Sequence, residues 1–267
     1  MNGLLPLALE SIQDAVRRRL AYVVAAVCIA SMFVLDSCTA MLPSTVEVNG
    51  TPVQVDVAVA SGAGLVTFVT LGLWLITLAG VLAADQLREP LEDGSATLAL
   101  ARPVSRLSFV FARLIGVLAI SWTASAALLG TAAYLLASRH GVPMAPASGA
   151  ALACALGCVV LATWSMTISI SLPRIATTML VFGIVGLVAL ANAIGAAVEL
   201  TGLLGLVDTY GPPLASSMIG ALSSWLPENM LAGLRGDPST IWVRLIVWAA
   251  GGVAALAITI RRVELGR

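Results

Sequence analysis

Apolar residues fill the chain in long blocks, and polar residues are confined to the gaps. A helix crosses the hydrocarbon core with about 20 apolar residues. The blocks 20–41, 59–84, 107–137, 148–172, 177–200 and 241–260 each reach that length. The pattern therefore predicts an all-α polytopic membrane protein with six transmembrane helices. The third block is long enough to extend past the bilayer.

The gaps carry their own periodicities. In residues 4–19, Leu5, Leu9, Ile12 and Val16 fall on one helix face, with Glu10, Asp14, Arg17 and Arg18 off it. That spacing predicts an N-terminal helix lying in the interface. In 43–58, Val46 and Val48, then Val53, Val55 and Val57, alternate with other residues around Asn49-Gly50. Strict alternation about Asn-Gly predicts an outer hairpin. The connection 201–240 holds an apolar stretch, 214–226, of about half a spanning length, set between Pro213 and Pro227. It predicts a re-entrant outer segment before the sixth span, with Trp225 suited to an interface.

Composition supports this class. The chain of 267 residues is 59% hydrophobic and only 10% charged, with formal net charge zero. A globular domain averages about 25% charged residues. Neutral balance gives no support for a nucleic-acid partner. All fourteen basic residues are arginine, and lysine is absent. A phosphate-binding loop needs its lysine, so ATP hydrolysis of that kind is not expected on this chain, nor is any other catalytic role.

The arginines also set an orientation. With the N-terminus inside, Arg17, Arg18, Arg19, Arg88, Arg102, Arg106, Arg113, Arg174, Arg261, Arg262 and Arg267 face the cytoplasm. Only Arg139, Arg235 and Arg244 then face outward. The positive-inside bias places both termini in the cytoplasm.

Within this frame, 85–106 is a cytoplasmic stretch with an unusual density of charge: Asp85, Arg88, Glu89, Glu92, Asp93, Arg102 and Arg106. Residues 95–101 form a short leucine-bearing helix candidate, opened by acids that favour its dipole and stopped before Pro103. Ser105 is placed to cap the third span. This predicts a docking element that offers Leu98 and Leu100 between two charged ends.

The segment Glu92-x-Gly94-Ser95 followed by Ala101-Arg102-Pro103-Val104-Ser105-Arg106 resembles the coupling region of ABC-2-type transporter permeases. The nearest resemblance is to the permease of the nitrous-oxide-reductase maturation transporter. It covers about 25 residues, and six spans with an interfacial first helix are consistent with it. Ala112-Arg113 departs from the Gly-Lys common in that family at this point. The resemblance implies a single permease domain over 1–267 in a bacterial or archaeal inner membrane. It implies a separate ABC ATPase dimer that carries ATP and Mg, with no cofactor on this chain, and a second permease copy completing the unit. Glu89, Glu92, Gly94, Leu98, Arg102 and Arg106 would couple to the ATPase. The expected activity is ATP-driven export of an amphipathic or hydrophobic cargo. The alternatives are mechanical or maturation work on an extracytoplasmic partner protein, and a secondary transporter.

The remaining polar residues are few. Asp36 and Glu199 sit near the outer ends of spans one and five, and Asn192 lies deeper in span five. Asn192 and Glu199 are pathway candidates, because polar groups at membrane depth are costly. Ser217 and Ser223, in the re-entrant stretch, are outer-gate candidates. Ser165, Thr167, Ser169 and Ser171 alternate by two and so cover opposite faces, which favours bonds to their own backbone. Cys154 and Cys158 share a helix face, and buried cysteine is expected to pack as a small hydrophobe. No third ligand for a metal is visible. Small residues on spans one and five, Ala25, Ala26, Ala30, Gly183, Gly186 and Gly195, mark the expected face toward a second copy.

Overall fold

The computed structural model describes residues 26, 29, 30, 33, 37, 45–48, 51–54, 57–92, 105–195, 202–225 and 238–263. Among them, five helices are long and apolar enough to cross a membrane. Their spanning portions are Gly62–Gln86, Leu107–His140, Ala145–Ser169, Ile175–Asn192 and Ser239–Arg262. The first expected span, 20–41, lies largely outside the described residues; Ala26, Ile29, Ala30, Phe33 and Ser37 within it are helical and exposed. The interfacial helix 4–19 and the coupling helix 95–101 also lie outside them.

Two short strands lie between residues 37 and 57. β1 (Thr45–Val48) and β2 (Thr51–Gln54) pair antiparallel, with Val46 opposite Val53 and Val48 opposite Thr51. Two residues separate them, the shortest common hairpin loop.

The helices are α1 (Val57–Glu92), α2 (Arg106–His140), α3 (Ala145–Ser169), α4 (Arg174–Gly195), α5 (Gly202–Tyr210), α6 (Leu214–Ala221) and α7 (Pro238–Val263). A single 3-10 turn, Ser223–Trp225, follows α6. The bounds follow local chemistry. Ser105 is extended and its hydroxyl accepts from Ser108 N at 3.1 Å, capping α2 as the sequence predicts. Gly141 ends α2 at φ 67°, where its N–H reaches Ala137 O; a residue without a Cβ takes that left-handed conformation at no steric cost. Pro173 lies just past the end of α3, which stops at Ser169 rather than at the expected 172.

α3 is the hub of the bundle and packs on α1, α2, α4, α6 and α7. Its buried side chains are mostly Ala, Cys, Gly, Val, Ser and Thr. In lipid, where tails are as apolar as leucine, such small residues let helices approach closely enough to gain dispersion contacts. The approach is tight at Gly157, where an added Cβ would lie 2.6 Å from Ile76 Cδ1 of α1. It is equally tight at Gly80 of α1, whose Cβ would meet Leu161 Cγ at 2.8 Å. Cross-helix hydrogen bonds add to this. Ser165 Oγ donates to Gly80 O at 2.6 Å, Trp122 Nε1 to Ala155 O at 3.1 Å, and Trp164 Nε1 to Trp248 O at 3.4 Å.

α1 runs unbroken to Glu92, so the first part of the charged stretch 85–106 is helical. Asp85 and Gln86 are buried within the bundle.

Candidate functional site

The chain order alternates direction, so the two ends of the bundle differ. One end holds Glu92, Arg106, Arg174 and Arg261, and is rich in arginine. The other holds the α2–α3 turn, the end of α4, α5, α6 and the start of α7.

At the arginine-rich end, Gln86 of α1 faces Arg113 of α2. Arg113 Nη1 donates to Gln86 Oε1 at 3.0 Å, and its guanidinium lies 5.4 Å from the Phe109 ring centroid. The bond ties α1 to α2 near the arginine-rich end. A guanidinium over a ring adds a cation–π attraction. Of the expected coupling residues, Glu89 and Glu92 belong to the last turn of α1, and Arg106 opens α2. Gly94, Leu98 and Arg102 lie outside the described residues.

At the opposite end, α6 lies inside the bundle. It packs against α1, α3, α4 and α7. Leu214, Ala215, Ser217 and Met218 are buried, as is Leu222 just beyond. Leu214 reaches Gly157 of α3, and Met218 fills the space in front of Gly72 of α1, where any Cβ would collide with its thioether. This helix is too short to span. Ser217 is 1% exposed and its hydroxyl donates to Leu214 O at 3.0 Å, so that gate candidate faces protein rather than water. Ser223, in the 3-10 turn, is half-buried.

Trp225, of a type suited to an interface, is packed into protein at this end of the bundle. It is 5% exposed, its ring meets Phe68 edge-on at 5.3 Å, and its Nε1 donates to Pro143 O at 2.9 Å. A buried indole keeps its N–H satisfied in this way. The residue therefore bolts the end of α6 to α1 and to the α2–α3 turn.

Beside α6 lies a polar cluster assembled from three helices. Asn192 of α4 is 1% exposed, and its Nδ2 donates to Asp208 Oδ1 of α5 at 3.4 Å. Its own Oδ1 is buried and accepts no hydrogen bond among the described residues. Arg244 of α7 donates from Nη2 to Asp208 O at 2.6 Å and to Gly211 O at 2.8 Å. These are carbonyls at the C-terminal end of α5, which a cation stabilises through the helix dipole. Trp248 Nε1 donates to Tyr210 O at 3.1 Å and completes that cap.

The structure thus places Asn192 in a polar network, while Glu199, the other pathway candidate, lies outside the described residues. Sequence reasoning missed Asp208 and Arg244 as members. The signal was present: Arg244 sits inside an apolar run, and an ionisable residue at that depth is a functional candidate by default. Counting it only as an outward-facing arginine hid that.

Between the two ends, Cys154 and Cys158 are fully buried. Cys154 Sγ approaches Gly72 O at 3.7 Å and Ser125 Oγ at 3.8 Å, and Cys158 Sγ approaches Leu75 O at 4.0 Å. They pack as small hydrophobes against α1. The hydroxyls of α3 divide. Thr167 and Ser169 bond carbonyls of their own helix, as expected, whereas Ser165 bonds across to α1.

No family model matches the chain, and no curated protein matches it. The fold itself defines a class: five apolar helices of spanning length make this a multi-pass membrane protein.

Proposed function

We propose that the chain is the membrane-spanning permease subunit of an ATP-driven transporter, with ATP hydrolysed on a separate ATPase dimer and two copies of this chain forming the translocation unit. A further span at 20–41, the first in the chain, belongs to this reading. So does placement of the arginine-rich end in the cytoplasm of a bacterial or archaeal inner membrane.

The observation that carries the reading is the pair of long rods bracketing the coupling sequence. α1 has 36 residues and α2 has 35. At 1.5 Å per residue each is about 50 Å long, against a hydrocarbon core of about 30 Å. Each is therefore longer than the apolar layer is thick, and α1 runs on past Gln86 at the arginine-rich end. The stretch that joins them, from Glu92 to Arg106, is the one whose Glu-x-Gly-Ser and Arg-Pro-Val-Ser-Arg groups resemble a coupling region. A push on that link passes into two helices already tied by Arg113 and Gln86, and so moves the bundle as a rigid body. The absence of lysine fits an energy source on another chain.

The cargo is read as amphipathic or hydrophobic, leaving near α6. The test is purification of the full chain from its own membranes under mild detergent. An ATP-hydrolysing subunit should copurify in a ratio of one ATPase per permease. Glu92→Ala should leave insertion intact and break the dependence of transport on hydrolysis. Recovery of the chain with no nucleotide-hydrolysing partner would remove the basis of the proposal.

A further inference from the structure

A tryptophan at membrane depth carries an N–H that lipid tails cannot accept. Two of the spanning helices answer it with a carbonyl of a neighbouring helix. Trp122 of α2 is 45% exposed, yet its Nε1 donates to Ala155 O at 3.1 Å, and Trp164 of α3 donates to Trp248 O at 3.4 Å. Trp74 of α1 is different. It is 48% exposed on the single chain, and its Nε1 donates to no described residue. It also stands at the centre of the span Gly62–Gln86, which has 25 residues. At 1.5 Å per residue, about 18 Å of helix lies on either side of it. An indole cannot cover that distance to reach the interface, where tryptophan is ordinarily placed.

Thr70, one turn away, repeats the anomaly. Thr67 and Thr77 of the same helix donate to Ala63 O and Leu73 O, each four residues back, at 2.9 and 2.7 Å. Thr70 is exposed and makes no such bond to a described residue. Residues four apart are neighbours on a helix surface, so Gly62, Val66, Thr70 and Trp74 form one stripe. Val66 is 63% exposed, and a Cβ added to Gly62 would meet nothing within 4 Å.

A polar group left unmet in hydrocarbon is costly, so this stripe calls for an acceptor at mid-depth. It carries one itself. An indole N–H only donates, whereas a threonine hydroxyl also accepts. Two copies related by an axis along the membrane normal bring equal depths together, and in such a contact residue i meets j while j meets i. Facing stripes then join the Trp74 of each chain to the Thr70 of the other, giving two equivalent bonds. Gly62, without a side chain, allows the close approach that such a helix pair needs.

We propose that the stripe Gly62, Val66, Thr70 and Trp74 is a contact surface for a second copy of this chain, with Trp74 Nε1 donating to Oγ1 of Thr70 of the partner subunit and the reverse. The inference rests on the two-copy unit proposed above and names a contact within it on α1.

The experiment uses the full chain in lipid nanodiscs. Native mass spectrometry first counts the copies, and two are expected. In a background without the native cysteines, Thr70→Cys should then link two chains under mild oxidation, while Ile115→Cys, equally exposed but on α2, should not. Trp74→Phe keeps the ring and removes the N–H. It should weaken dimerisation about tenfold, the value of two hydrogen bonds between membrane helices. Thr70→Val should weaken it by a similar factor, and the double variant no further, because the two residues are partners. A single copy in the unaltered chain overturns the two-copy reading and this contact with it. Two copies without a link through Thr70→Cys overturn the contact alone, as does additive weakening in the double variant. Rapid labelling of Thr70→Cys by a membrane-impermeant maleimide in the two-copy state would make the stripe a wall of a watery space and overturn it as well. With the native cysteines restored, a link within one chain from Thr70→Cys to Cys28 or Cys38 would give the stripe to the block 20–41 and overturn the second copy as its occupant.

Discussion

Gly251 and Gly252 are neighbours on α7, yet alanine at each should act in opposite directions. A Cβ on Gly251 meets nothing within 4 Å. A Cβ on Gly252 runs into Thr163 Oγ1 of α3, and also lies 3.1 Å from both Thr163 Cβ and Trp164 Cδ1. Thr163 has little freedom to yield. Its hydroxyl is held to Val159 O at 2.8 Å and Val160 O at 2.9 Å, and a β-branched side chain on a helix has few χ1 options. Trp164 is likewise engaged, against Trp248 with ring centroids 5.5 Å apart. Either α7 moves away from α3 or Thr163 rotates and gives up its bond. Overpacking of this kind costs about 1–3 kcal/mol. Both alanines gain the same helix propensity, up to about 1 kcal/mol, so that contribution cancels between them. Unfolding of the purified chain by sodium dodecyl sulfate in mixed micelles, followed by circular dichroism, should therefore place Gly252→Ala about 1–3 kcal/mol below Gly251→Ala. Adding Thr163→Ala to Gly252→Ala should recover most of that gap, since the two positions are in contact. A gap smaller than about 0.5 kcal/mol, the range of a silent surface change, would refute the argument that α3 and α7 meet through these residues.

Further outcomes follow from the other end of the bundle. Trp225→Phe keeps the edge-on contact with Phe68 but strands the Pro143 carbonyl, and should lower stability in the same assay by about 1–2 kcal/mol; an unchanged midpoint would show that this bond holds nothing. In a background without the native cysteines, Ser217→Cys should resist a membrane-impermeant maleimide that labels Ser223→Cys, because Ser217 is buried and Ser223 is not; equal labelling would mean that α6 does not stay packed in the bundle. Gly183→Cys and Gly186→Cys lie on an open face of α4, with nothing within 4 Å of either position. If that face meets a second copy, as the proposed unit requires, mild oxidation in native membranes should link two chains; a chain that remains monomeric under oxidation at both positions argues for lipid there instead.

The five spans among the described residues were legible because each is a long apolar block, and the membrane imposes helix on any such block. The cap at Ser105 was legible for a local reason, the short reach of a hydroxyl to the next turn. What could not be read was which polar groups meet. Asn192, Asp208 and Arg244 come from three helices far apart in sequence, and no spacing rule connects them. Trp225 shows the same limit. Its indole suited an interface by type, but the shape of the gap between Phe68 and Pro143 decided its place. Nor did the charges at 85–92 announce that α1 continues to Glu92, with Asp85 and Gln86 buried.

The placement of α6 bears on how the protein is made. Chains emerge from the ribosome in order, at about 5–20 residues per second. α1 and α3 enter the membrane well before α6 exists, since α4 and α5 must be made first. Until then, the hollow at Gly72 lacks its occupant, because Met218 has not been synthesised. The final packing of the bundle is thus completed late in biogenesis. It depends on a helix of eight residues that has no means of inserting alone.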